Sequence, residues 1–120
     1  MEFRPLGRTG VSVSKFCFGA GMFGYFGNND ETECNKMVDY AISEGVNYFD
    51  TSDVYSHGES ETILGKALKG KRQDIVLATK FSLPIDQNPN HKGNSRRWIF
   101  EEVENSLRRL DTDYIDLYQA

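Results

Sequence analysis

Cysteine is scarce in this chain, which has two, Cys17 and Cys34, in 120 residues. They have neither the density of a disulfide scaffold nor the paired spacing of a metal site. Both are expected to be buried thiols, Cys17 in an apolar run and Cys34 on the apolar face of a helix. Long apolar runs are also missing. No segment approaches the roughly 20 apolar residues of a membrane span, and Met1-Glu2-Phe3-Arg4-Pro5 lacks the apolar stretch of a signal peptide. The expectation is a cytoplasmic protein with no membrane partner. Nor is positive charge in excess: 14 Lys and Arg against 18 Asp and Glu give a formal net charge of -4, with the signs interleaved. A nucleic-acid partner would demand a concentrated basic face, so that class is set aside. The densest basic stretch, Lys69, Lys71 and Arg72 around Gly70, reads as a solvated turn complementing a helix dipole.

What is present describes a single soluble domain, 38% apolar and 27% charged, long enough for one core and too short for two. Phe3 to Ser14 has the pattern of a small hairpin turning through Gly7-Arg8-Thr9-Gly10. A buried strand is expected from Phe16, dissolving into Gly19-Ala20-Gly21-Met22-Phe23-Gly24, where small residues let a ligand or another backbone approach. Cys34, Met37, Val38, Ala41 and Ile42 fall on one face of a helix over Asp30 to Ser43, with Asp30 to cap its start and Gly45 its end. Val46 to Asp50 is a second buried strand. A helix near Ser60 to Lys69 closes at Gly70, and Ile75 to Lys80 is the near-continuous apolar run of a strand covered on both faces. Ser82 to Asn94 is a polar loop. Ser95 caps a third helix whose buried stripe is expected to be Ile99, Val103, Ser106, Leu107 and Leu110, and Tyr114 to Tyr118 opens a fourth strand.

Units of roughly 30 residues alternating strand and helix produce parallel strands joined by crossovers, in either an open doubly wound sheet or a closed (β/α)8 barrel. The glycines at 19, 21 and 24 fit the dinucleotide fingerprint by letter. They are followed by Tyr25-Phe26-Gly27-Asn28-Asn29, not by the helix that would receive a pyrophosphate, so the match is discounted.

Asp50 and Lys80 end successive strands, at the end of a parallel sheet where chemistry is assembled. Adjacent strands lie about 4.8 Å apart, so the two side chains can meet. They can form a purely structural ion pair. Alternatively, a lysine held by Asp50 beside Tyr55 would favour the phenolate and turn the phenol into a proton donor for a carbonyl oxygen.

Asn47-Tyr48-Phe49-Asp50-Thr51-Ser52 through Tyr55, Gly58, Ser60-Glu61, Leu64-Gly65, Ala67-Leu68, Ala78-Thr79-Lys80, Ser106-Leu107-Arg108-Arg109-Leu110 and Tyr114 to Gln119 together resemble the aldo-keto reductase family over the whole chain. The resemblance implies the N-terminal half of a (β/α)8 TIM barrel: a hairpin, residues 1–14, capping the bottom, then about four parallel strands and three helices. Residues 1–120 would be a partial domain of an NADPH-dependent oxidoreductase acting on aldehydes or ketones. It makes Tyr55 the general acid with Lys80 and Asp50 as partners, and places Gly19, Ala20, Gly21 and Asp50 near the nicotinamide. The family's catalytic histidine is expected just beyond Ala120. His57 and His91, in loops, read as solvated residues and not as substitutes. The chain is therefore expected to be a truncated, inactive form. The alternatives are a half-barrel interaction module that dimerises or docks on a C-terminal half, and a binder that keeps the carbonyl pocket without catalysis.

Overall fold

The computed structural model describes residues 1–120. The chain opens with a two-stranded antiparallel hairpin, β1 (Phe3–Pro5) and β2 (Ser12–Ser14), in which Phe3 lies opposite Ser14. Then come β3 (Cys17–Gly19), α1 (Glu31–Ser43), β4 (Tyr48–Asp50), α2 (Glu59–Ala67), β5 (Val76–Lys80), α3 (Arg96–Leu110) and β6 (Leu117–Gln119). The four later strands form one parallel sheet in the order β3-β4-β5-β6, which repeats their order in the sequence. A doubly wound sheet reverses direction at a switch point, and this sheet has none. Consecutive crossovers of one hand place all three helices on one face, where α1 packs on α2 and α2 on α3.

The core fills the layer between sheet and helices. Phe49 and Leu77 face out from the strands onto Cys34 and Val38 of α1, Ile63 and Leu64 of α2 and Leu110 of α3. Side chains alternate along a strand, so the opposite face carries Cys17, Gly19, Tyr48, Asp50 and Lys80. Caps follow the chemistry of the sequence. Asp30 accepts a hydrogen bond from the Glu33 amide at 3.1 Å, Ser95 accepts one from the Trp98 amide at 3.1 Å, and Gly45 leaves α1 at φ 89°.

The hairpin is tied to the amino end of β4. Asn47 accepts from the Ser14 amide at 2.7 Å and donates its side-chain nitrogen to the Ser12 carbonyl at 3.1 Å. This is the end of the sheet away from Asp50 and Lys80.

Four expectations need correction. Cys34 is buried, but Cys17 is exposed, and β3 is an exposed edge with only Phe18 half-covered, because no neighbouring strand lies on its far side. In β4 only Phe49 is buried, since Tyr48 and Asp50 point to the open face. In α3 Ser106 and Leu110 are buried as expected, but Trp98 and Glu102 complete the deeply buried stripe, and Ile99, Val103 and Leu107 are only half-covered beside it. The last strand begins at Leu117 because Asp116 is occupied, accepting from the Leu77 amide and from Arg72, both at 2.8 Å.

Candidate active site

Parallel register brings the strand ends level: Gly19 pairs with Asp50, Asp50 with Ala78, and Lys80 with Gln119. Lys80 runs two residues past the level of Asp50, and its ammonium folds back to the carboxylate. Nζ donates to Asp50 Oδ2 at 2.6 Å and to the Thr51 carbonyl at 2.8 Å. Both side chains are about three-tenths exposed, with values of 29% and 27%, so the pair is neither sealed nor free in water. Gln119 completes the carboxylate's surroundings, its amide nitrogen 3.4 Å from Asp50 Oδ1.

Tyr55 reaches this pair from the loop after β4. Lys80 Nζ lies 5.1 Å from the centroid of its ring. The ring also lies against Gly21, where an added Cβ would stand 3.6 Å from the nearest ring atom. The turn Tyr55–Gly58 is unusual in its backbone: Ser56 and His57 are left-handed, at φ 50° and 52°, and Gly58 follows at φ 91°. Non-glycine residues persist there only where the surroundings hold them. Here the Ser56 hydroxyl accepts from the Phe26 amide at 3.2 Å, and Glu59 accepts from the Tyr25 amide at 2.7 Å. The loops after β3 and β4 are therefore stitched together. Deeper down, Thr51 and Ser60 share a 2.8 Å hydroxyl contact and Ser60 donates to the Ala20 carbonyl at 2.6 Å.

These loops enclose an open cavity of about 490 Å³ over the strand ends, lined by Gly19, Gly21, Met22, Tyr25, Phe26, Asp50 and Tyr55 among others. Of the small residues expected to approach a ligand, Gly19 and Gly21 border the cavity, and Gly19 opens onto empty space. Ala20 does not border it, because its side chain is fully buried in the core.

A second tyrosine, Tyr48, lies on the open face. Burial, then the nearby Cys17 and Asp50, raise the Tyr48 pKa and hold its proton in place. The Cys17 thiol is pushed up to about 11 by partial desolvation and by the Asp50 charge, outweighing the opposite pull of Lys80, so it is no thiolate at neutral pH. Neither histidine enters the group. His57 is exposed and stacks on Tyr25 with centroids 5.6 Å apart. His91 is not simply solvated: it stacks on Trp98 at 4.9 Å, with Nδ1 2.7 Å from Asp86 and Nε2 3.5 Å from Glu101.

Sequence reasoning gave Gln119 no role, although the strand-end argument that found Asp50 and Lys80 applies to it equally. It also missed the buried polar layer under the Tyr55 turn. There Arg109 donates to Glu61 at 2.5 Å and to Glu102 at 2.6 Å, and Thr79 donates to Glu61 at 2.6 Å. The motif Ser106 to Leu110 contains the arginine, and two glutamates on predicted helices were the available signal.

The family model for the aldo/keto reductases matches residues 15–120. The aldo-keto reductase YhdN of Bacillus subtilis is 42% identical over an alignment that takes in all of this chain and 38% of that protein. A probable voltage-gated potassium channel subunit beta of Oryza sativa subsp. japonica is 40% identical, with 98% of this chain and 36% of that one covered. Among solved structures, the holo form of aldo-keto reductase AKR11C1 from Bacillus halodurans superposes with a TM-score of 0.88 at 44% identity, over 99% of this chain and 39% of that one. The chain thus spans less than two-fifths of the length of these curated relatives. With a family model matched over all but the opening hairpin and a backbone that follows a family member throughout, the chain belongs to the aldo/keto reductase family, of whose barrel it forms a half.

Proposed function

We propose that this chain supplies the proton-donating half of an NADPH-dependent carbonyl reductase, and that its barrel must be completed before it turns over. The observation that carries this reading is the Lys80 ammonium bonded to Asp50 and set by the Tyr55 ring, with Tyr55 and Asp50 both lining an open cavity. Tyr55 donates its proton to the oxygen of an aldehyde or ketone. Lys80 stabilises the negative charge that develops on the phenol oxygen, and Asp50 holds the ammonium in position and charged. The residues present fit a flat nicotinamide ring, because Gly19 and Gly21 leave the backbone bare along one wall of the cavity beside Asp50. When bound there, the cofactor supplies the hydride that the carbonyl carbon accepts.

The test is Tyr55→Phe in the protein whose barrel is complete. Carbonyl reduction falls by about 10²-fold or more, the usual worth of a positioned general acid, while NADPH affinity read by nicotinamide fluorescence stays nearly constant. Turnover within a few-fold of the parent would place the acid elsewhere. A second reading is favoured by the two strands, β3 and β6, that pair on one side only. In it the chain is an interaction module that closes a barrel with a second copy or with a separate C-terminal half, without catalysis.

A further inference from the structure

Beneath the Tyr55 turn lies more buried acid than its base can neutralise. Asp53, from the loop after β4, is 3% exposed, and Glu61 of α2 and Glu102 of α3 are 0% exposed. One guanidinium, Arg109, serves all three. It bonds Glu61 and Glu102 but makes no hydrogen bond to Asp53. Each glutamate has a donor on both oxygens, since Thr79 reaches the second oxygen of Glu61 at 2.6 Å and Asn105 that of Glu102 at 2.8 Å. Asp53 has a single long contact, from the Ser52 hydroxyl to Oδ1 at 3.4 Å, and its Oδ2 has no partner at all.

A buried carboxylate without a cation and with an oxygen facing no donor is the arrangement that folded proteins avoid. A proton removes both faults. Asp53 lies within hydrogen-bonding reach of Glu102, and the two border the same small cavity of about 160 Å³. We propose that Asp53 is a neutral carboxylic acid that donates its proton to the Glu102 carboxylate, and that this bond positions the turn carrying Tyr55. The catalytic part of the proposal rests on Tyr55 being the acid; the proton on Asp53 does not.

The turn is seated at both ends on this layer. At its start the Asp53 amide donates to the Lys80 carbonyl at 3.1 Å, and the Tyr55 amide donates to the Ser52 carbonyl at 3.3 Å. At its end Gly58 lies against Arg109, whose Cδ is 2.7 Å from the place a Cβ would occupy. Ionising Asp53 sets its charge against Glu102 and Glu61 and pushes the turn away from its seat. The titratable groups facing Asp53 are Glu61, Glu102 and Arg109, Tyr118 of β6, and His57 on the cavity rim. Burial and the same acidic neighbours raise the Tyr118 phenol, whose hydroxyl also lacks a partner, so it remains uncharged throughout.

Burial first, then the charges of Glu102 and Glu61, push the Asp53 carboxyl up from 3.8 to about 7. The folded state therefore holds this proton more tightly than the unfolded chain. Its contribution to stability is complete below about 3.8 and is lost as pH rises to about 7. Asp53→Asn stays neutral at every pH and keeps a donor toward Glu102.

The experiment compares the protein whose barrel is complete with its Asp53→Asn variant by infrared titration, by thermal midpoint and by turnover against pH. The expected result is a protonated-carboxyl C=O band that disappears near neutrality and is missing from Asp53→Asn. Over the same interval the thermal midpoint and kcat of the parent decline, while those of the variant do not. A band shared by both proteins, or midpoints that shift equally with pH, overturns the proton on Asp53. A band confined to the parent with superimposable kcat profiles overturns the positioning role. Tyr55→Phe is measured alongside, because retained turnover there removes the acid and leaves the Asp53 band untouched.

Discussion

An ammonium that touches a carboxylate, a carbonyl and the face of a phenol has little freedom left, and Lys80 is in that position. Replacing it by methionine keeps most of the stem's packing and removes the charge. In the protein whose barrel is complete, Lys80→Met is expected to lower carbonyl turnover by about 10²-fold or more, since both it and Tyr55→Phe disable the same proton transfer. A Lys80→Met, Tyr55→Phe double variant that is no worse than either single one would show that the two act as a unit; additive losses would separate them. At this scale the sequence was readable where a rule of position applied. Asp50 and Lys80 end apolar strands, and strand ends are where parallel sheets place polar groups. Asp53 was not readable, because the charged groups around it, Glu61, Glu102 and Arg109, lie 8 to 56 positions further along the chain.

Between elements, one glycine sets how closely two helices meet. Gly65 of α2 faces the backbone of α3, and a Cβ there would stand 2.3 Å from the Leu110 carbonyl oxygen. Backbone cannot rotate aside as a side chain can. Gly65→Ala should therefore destabilise the fold by about 1–3 kcal/mol in a denaturant titration, against the roughly 1 kcal/mol that alanine would gain in an isolated helix. An unchanged or raised midpoint would mean that α3 can retreat without cost. The caps, the helix spans and the alternation of strand and helix were legible from period and punctuation, whereas the order of strands within the sheet came from the family resemblance. The rotation of α3 was not legible. A hydrophobic pattern counts Ile99, Val103 and Leu107 as its inner face, but Arg109 draws Glu102 inward, and Ser106 sits beside it at 3.3 Å from the guanidinium. Buried polar groups that satisfy one another leave no mark in apolar periodicity.

The molecule as a whole is a slab, 43 × 37 × 20 Å, with helices on one face and the open strand face, where Asp50 and Lys80 lie, on the other. β3 and β6 each pair with a single neighbour, which leaves two rows of backbone groups without sheet partners. On the interaction reading, light scattering of the 120-residue chain should return twice the 13.7 kDa of one chain or more, rising with concentration. A monodisperse monomer at high micromolar concentration would remove pairing with a second copy and leave the reductase reading untouched.

Each strand touches only the strands made just before and just after it, so a chain emerging from the ribosome can add one unit at a time to what is already folded. By Lys80 all three groups of the proposed site have been synthesised, yet Arg109, on which the Tyr55 turn sits, is still 29 residues away. During that interval Asp50, Tyr55 and Lys80 exist without the buried layer beneath the Tyr55 turn, and that turn gains its seat only when the helix bearing Arg109 docks.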